Sequence, residues 1–321
     1  MLRLIVLGSA AGGGFPQWNS AGPGCLRARA GDPAARPRTQ CSLAASADGR
    51  RWVLLNAAPE LTAQIAATPA LHPHPAPGQV RHSPIAAAVL TGAEVDTVAG
   101  LLSLRERHPF ALYAAPQALA VLAANPIFRV LDPGLVPRRP LAVGETELED
   151  AAGEPLGLTV EAFSVPGKIP LFLEEGADPG HEEEGSTIGL SIRAGDAPPA
   201  FFIPGCAAMT PALCERLRGA ALVLFDGTLW RDDEMRRTGA GVKTGARMGH
   251  MSVDGPGGVI AAFRDLGVRR RVLVHLNNTN PLLLADSPER ALAGAAGWEV
   301  AEDGMELFVQ PTPPAVRAGP A

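Results

Sequence analysis

Ten short apolar runs alternate with stretches of helical spacing along this chain, and that alternation limits its fold more than any other feature. LRLIVLG, TQCSLAAS, RWVLLNA, PIAAAVLT, FALYAA, LTVEAFSV, TIGLSIRAG, AFFIPG, ALVLFDG and RVLVHLN are mostly apolar and bounded by Gly, Asp, Asn or Pro, so they read as strands. Between them, PELTAQIAAT, TVAGLLSLRER, APQALAVLAA, TPALCERL, VIAAFRDLG and SPERALAGA have helical spacing, several opened by Ser, Thr or Pro. Buried strands interleaved with helices argue for sheets covered by helices, an α/β layered architecture.

A chain of 321 residues buries a full core, and a single layered domain over residues 1–310 accounts for it. With 46% hydrophobic and 19% charged residues it reads as a soluble globular protein. The formal net charge of -5, with Lys and Arg scattered, gives no basic stripe for a phosphate backbone, which argues against nucleic acid as a partner. MLRLIVLGSAAGGG runs into glycines where a signal peptide would continue its apolar region, and no segment approaches the roughly 20 apolar residues that span a bilayer. Cys25, Cys41, Cys206 and Cys214 form no CxxC pair, so the expectation is a cytoplasmic protein with reduced thiols. HPHPAPGQVRHSP (72–84) and EEGADPGHEEEGS (174–186) read as surface loops of lid length, and PTPPAVRAGPA (311–321) as a disordered tail. Whether copies of the chain associate is left open.

Some motifs resemble sites without meeting their requirements. GSAAGGG follows a strand but lacks GxGxxG spacing and the Lys-Ser or Lys-Thr of a phosphate loop, so its glycines serve a tight turn. His72 and His74 stand among prolines and read as surface residues, and Glu182, Glu183 and Glu184 as a solvated face.

The polar residues that matter stand where apolar strands end. Asp226 closes ALVLFDG, His275 lies near the end of RVLVHLN, Glu94 and Asp96 follow PIAAAVLT, and His250 sits in RMGHMS. Ligands of open α/β sheets bind beyond strand ends, where loops converge on a rigid scaffold. Each residue also has an ordinary structural use: a turn at Asp226, a helix cap at Asp96, a core histidine at 275. Together, two imidazoles and carboxylates are a donor set for Fe(II), Mn or Zn that leaves coordination positions open.

At these segments the chain resembles the metallo-β-lactamase superfamily, whose first metal motif is HxHxDH after a strand, and within it the PqqB family of pyrroloquinoline quinone biosynthesis. LTGAEVDTVAGL, GSAAGGGFPQWN, RPRTQCSLAAS, VPGKIPLFLE, IPGCA, FDGTLWRDDEM, KTGARMGH, HLNNTNP and DSPERA all look like segments of that family in the same order. The resemblance implies an αββα sandwich. A hydrolytic superfamily member would have His at positions 92, 94 and 97; here stand Gly92, Glu94 and Thr97, with Asp96 retained. Members of the narrower family also lack the first two histidines and commonly carry an acid at the second, as Glu94 does, but they pair the Asp with a His where this chain has Thr97. They carry an N-terminal cysteine cluster as well, of which only Cys25 remains, and one cysteine cannot build a tetrahedral zinc site, so no structural zinc is expected there.

The resemblance further implies an iron-dependent oxygenase, with Fe(II) as cofactor (Zn or Mn as alternatives) and O2 as co-substrate, that hydroxylates the tyrosine moiety of a peptide-derived Glu-Tyr intermediate. Asp96, Asp226 and His275 would be the metal ligands, with Glu94 and His250 as further ligands or orienting groups and as the catalytic side chains. The substrate's carboxylates would call on Lys168 and Lys243, the only lysines of the chain, and on Arg247, Asn278 and Asn280. The rivals are a carrier of the quinone or its precursor, and a metal-dependent hydrolase, the latter disfavoured by the missing histidines.

Overall fold

The computed structural model describes residues 1–141, 144–168 and 187–311. The described strands of the first half are β1 (Leu2–Gly8), β2 (Ser42–Ser46), β3 (Trp52–Leu55), β4 (Ile85–Val89), β5 (Ala111–Ala114), β6 (Arg138–Pro140) and β7 (Glu145–Glu149). Those of the second are β8 (Pro155–Ser164), β9 (Ile188–Ala194), β10 (Ala200–Ile203), β11 (Leu222–Asp226), β12 (Arg270–Val274), β13 (Trp298–Val300) and β14 (Glu306–Val309). They form two sheets of seven, ordered β14-β1-β2-β3-β4-β5-β6 and β13-β12-β11-β10-β9-β8-β7. Each sheet is mixed: β3 to β6 run parallel in the first and β10 to β13 in the second, and the remaining neighbours are antiparallel.

Alternation along the strands makes three apolar layers. Leu4, Val6, Leu43, Val53 and Leu55 of the first sheet meet Leu190, Phe202, Leu224 and Val272 of the second. The opposite parity of the second sheet, including Phe201, Val223, Phe225 and Leu273, packs outward with Phe263 and Trp298. Ile5, Leu7, Leu54 and Leu112 do the same for the first sheet, under Leu61, Leu101 and Leu122 of the covering helices. This is the αββα sandwich that the resemblance implies. On β11, Leu222 and Leu224 face the inner layer, so Asp226 continues their face at the strand end, between the sheets.

The stretch TVAGLLSLRER departs from the expected α-helix: only Val95–Val98 is α-helical, and Ala99–Leu104 tightens to 3-10. Gly100 explains the tightening. Its N–H donates to Ala57 O at 2.8 Å, and a Cβ there would lie 2.2 Å from Ala58 O, so the turn is pulled onto the backbone after β3. The expected loop 72–84 is exposed over most of its length, and His72 and His74 bond only local partners, Ala66 O and His82. The acidic loop 174–186 and tail residues 312–321 lie outside the described residues.

Candidate metal centre

Three separate pieces of backbone bring the side chains together. Asp96 sits in the first turn of the helix Val95–Val98, beyond the end of β4. That turn is pinned by Asn56, a residue in the left-handed conformation (φ 66°) just past β3, whose amide accepts Thr91 N at 2.9 Å and donates to Thr91 Oγ1 at 3.0 Å. Asp226 is the last residue of β11. His275 follows β12 directly, also left-handed (φ 60°), a conformation that costs a side-chain-bearing residue about 1 kcal/mol or more. Its neighbour holds it there: Leu276 exchanges backbone bonds with Ser9 O and Ala11 N. His250 is delivered by a loop in which Gly249 takes φ 80°.

The Asp226 carboxylate is completely buried, and both oxygens are occupied. Oδ1 accepts from Thr228 N at 2.9 Å and from the Thr228 hydroxyl at 2.6 Å. Oδ2 accepts from Cys206 N at 2.9 Å and lies 2.7 Å from His250 Nδ1. Burial works against its ionisation, but His250, His275 and Thr228 hold it below the usual carboxylate range. Thr228 Oγ1 also lies 2.8 Å from His275 Nδ1 and 3.1 Å from His250 Nδ1, and the two rings stack with centroids 5.2 Å apart. The Nε2 of each ring therefore points away from Thr228, and that of His275 meets Asp96 Oδ2 at 3.1 Å.

This last contact tests whether a metal suits the residues. An imidazole whose Nδ1–H is donated to Thr228 offers a bare Nε2, and a bare nitrogen 3.1 Å from a carboxylate oxygen places two acceptors face to face. A cation must stand between them. Without metal it is a proton: burial disfavours charge on His275, yet Asp96, Asp226 and Glu94 raise its pKa above the ordinary imidazole value. Asp96 is lowered in turn, burial opposing and His275 prevailing. A divalent ion meets the same demand and displaces that proton, so the donor set fits a metal. By proximity, Asp226, His250 and His275 each offer one ligand atom within 4.8 Å of the others, and Asp96 joins the group through His275.

Residues 51–276 match the beta-lactamase superfamily domain. The chain is 61% identical over 309 residues to coenzyme PQQ synthesis protein B of Gluconacetobacter diazotrophicus, covering 96% of this chain and 99% of that one. It belongs to the coenzyme PQQ synthesis protein B family. The protein of that name from Gluconobacter oxydans is 53% identical over 306 residues, covering 95% of this chain and 98% of its own. The crystal structure of Zn(2+)-bound PqqB from Methylobacterium extorquens superposes with a TM-score of 0.89 at 48% identity, covering 95% and 99% of the two chains. A diphosphatase of the PhnP family shares the fold at 20% identity, with a TM-score of 0.66 over 97% of this chain and 98% of that one.

The other expected residues divide by place. Glu94 precedes the Asp96 turn, half-buried and close enough for its charge to act on His275. Lys168 runs along the His250 loop: a Cβ on Gly249 would lie 3.0 Å from Lys168 Cγ. Lys243 and Arg247 flank the same loop, Arg247 exposed and forming no ion pair with any described residue. The two asparagines serve the scaffold around the site. Asn280 is buried, donates to Gly227 O and Thr228 O, and caps Leu282 N. Asn278 is buried between Gln17 and the thiol of Cys25, tying the N-terminal loop to the loop after β12. Thr228 and Asn56 were not singled out from sequence; a Thr two residues after a strand-ending Asp is a weak sign of a turn hydroxyl, and nothing local marks Asn56.

Proposed function

We propose that the chain is a metal-dependent oxygenase of pyrroloquinoline quinone synthesis, acting in the cytoplasm, which hydroxylates the tyrosine moiety of a peptide-derived Glu-Tyr intermediate with Fe(II) and O2. The observation that carries the metal is the facing of His275 Nε2 and Asp96 Oδ2 at 3.1 Å, with a second imidazole stacked alongside. Membership of the family, of which the Methylobacterium extorquens relative is zinc-bound, supports metal binding.

Asp96, His275 and His250 would hold the ion, a donor set of two imidazoles and one carboxylate. The chemistry a bound Fe(II) supplies is activation of O2 at coordination positions the protein leaves open. Asp226, which with His250 and His275 offers a ligand atom within 4.8 Å of the others, would in this reading also orient: its oxygens accept protein donors, and it would hold the Nδ1 proton of His250 and so fix which nitrogen faces the ion. Lys168, laid along the Gly249 turn, and Arg247, three residues before His250, would bind the carboxylates of an amino-acid-like substrate. Thr97, standing where a histidine would, is buried with its backbone bonded to Ala57 and Glu94, and contributes to the turn.

Loading with Fe(II) under anaerobic conditions, followed by O2 and a Glu-Tyr dipeptide-like substrate, tests the proposal. Iron-dependent O2 uptake with a product one oxygen heavier is expected, together with loss of iron and turnover in Asp96→Ala. Tight substrate binding with no O2 uptake would make the protein a carrier, and cleavage without O2 uptake would make it a hydrolase.

A further inference from the structure

Thr228 stands at the one point from which both imidazoles can be controlled. Its hydroxyl oxygen lies 2.6 Å from Asp226 Oδ1, 2.8 Å from His275 Nδ1 and 3.1 Å from His250 Nδ1. A hydroxyl has one proton and two lone pairs. If that proton were directed to either ring, the hydroxyl oxygen would face the Asp226 carboxylate at 2.6 Å with no hydrogen between them. The proton must therefore go to Asp226, leaving lone pairs that accept from the rings. His275 Nδ1 then carries hydrogen, and so does His250 Nδ1, which lies 2.7 Å from Asp226 Oδ2.

The hydroxyl is itself held still. Thr228 is buried, its N–H donates to Asp226, and its carbonyl accepts from Asn277 N at 3.0 Å and Asn280 Nδ2 at 3.2 Å. We propose that Thr228 is a positioning residue of the centre: by giving its proton to Asp226 and accepting that of His275, it commits both rings to Nδ1–H and presents both Nε2 atoms for coordination. This deepens the metal-centre reading and rests on it, but the protonation of the rings can be read with no metal present.

The test is nitrogen-15 NMR of imidazole-labelled protein, metal-free and zinc-loaded, with zinc titration of the wild type, Thr228→Val and Thr228→Ser. Both wild-type rings are expected to show exchange-protected Nδ1–H protons in either state. T228V should lose that protection at His275 and bind zinc about 10- to 100-fold more weakly, as for other residues that orient a ligand. T228S, which keeps the hydroxyl, should restore both. A wild-type ring bearing no Nδ1 proton overturns the proposal even where T228V does not fold. So does a T228V with protected His275 Nδ1–H and unchanged zinc affinity, or a folded T228S as impaired as T228V. A wild type that binds no zinc or iron would instead remove the metal-centre reading, while its metal-free spectrum still decides the role of Thr228.

Discussion

Replacing Asp226 by Asn keeps the shape of the side chain and turns two acceptors into one acceptor and one donor. The amide has two orientations, and each fails in a definite way. With its oxygen toward Thr228, the NH2 faces Cys206 N–H and His250 Nδ1. His250 can move its proton to Nε2 and accept, which removes that nitrogen from any metal; the Cys206 N–H cannot adapt and is left opposed. With its oxygen toward Cys206 and His250, the NH2 faces Thr228 N–H and the Thr228 hydroxyl. The hydroxyl must then accept from the amide and donate to His275 Nδ1, so that His275 carries its proton on Nε2 and blocks the other ligand. One buried backbone N–H is orphaned either way, at about 1–3 kcal/mol, and the remaining bonds lose their charge assistance, while relief from burying a charge offsets part of the sum, leaving a net loss of about 2 kcal/mol. At roughly 2–4 °C per kcal/mol the thermal midpoint should fall by about 4–8 °C. Zinc affinity, measured by competition with a chromophoric chelator, should fall about 10- to 100-fold because one imidazole is always turned away. An Asp226→Asn protein that loses stability yet binds zinc like the wild type would refute the argument, since it would mean that the Nδ1 protons do not govern the metal-facing nitrogens.

Four further outcomes follow from individual contacts. Glu234 is buried with its carboxylate on Trp230 N and the Thr279 hydroxyl, and burial, aided by Glu289, pushes it up to about 7. The folded protein thus binds a proton that the unfolded chain has released between about pH 4.5 and 7, and stability contributed below that window is lost as pH rises through it; Glu234→Gln should be roughly 3 kcal/mol more stable than the wild type at pH 8 and equal to it near pH 4, by urea denaturation. Gly249→Ala would place a Cβ at φ 80° and 3.0 Å from Lys168 Cγ, so it should destabilise by about 1–2 kcal/mol and weaken zinc binding as His250 shifts; a neutral substitution would mean that the loop yields freely. Asn280→Ala orphans Gly227 O and Leu282 N, leaves Thr228 O with the Asn277 N–H alone, and should lower the thermal midpoint by an amount corresponding to about 2–3 kcal/mol, while leaving substrate affinity of the folded fraction unchanged. Zinc at a thousandfold excess over its dissociation constant should add about 4 kcal/mol to wild-type stability, an increment absent from Asp96→Ala in the same calorimetric scan.

What the sequence disclosed and what it hid divide along a physical line. All ten apolar runs became strands, and the four strands not foreseen, β6, β7, β13 and β14, are the four edges of the two sheets. Edges have only one neighbour and present a row of open backbone groups, so they are kept short, charged or interrupted, as ETELE and RRP are, and they lack the apolar continuity by which central strands are recognised. The gathering of Asp96, Asp226, His250 and His275 was legible because each closes or follows an apolar run. The hydrogen bonds among them were not, since these depend on which oxygen of Asp226 meets which donor. The structural use of Asn278 and Asn280 was hidden for a related reason: side-chain amides suit turns and ligands equally well, and the carbonyls that Asn280 bonds are not local in sequence.

The position between His275 and Asp96 also joins the two halves of the fold. Asp96 belongs to the turn after β4 of the first sheet, while His275 and the His250–Asp226 pair belong to the second. Backbone bonds already cross at this end: Ile188 N donates to Thr91 O at 3.2 Å, and Ser9 and Ala11, just after β1, bond to Leu276. Two left-handed residues, Asn56 on one sheet and His275 on the other, turn the chain here at some cost, and such strain persists only where surrounding contacts over-determine it. On the first sheet those contacts are the paired bonds of Asn56 to Thr91; on the second they are the bonds of Leu276 to the Ser9–Ala11 backbone. The cation site is therefore bounded on both sides by backbone that cannot relax independently. Asp96 and His275 would hold a metal there in place of one shared proton, and the same backbone restraint would make its affinity answerable to residues such as Thr228 that orient the ligands.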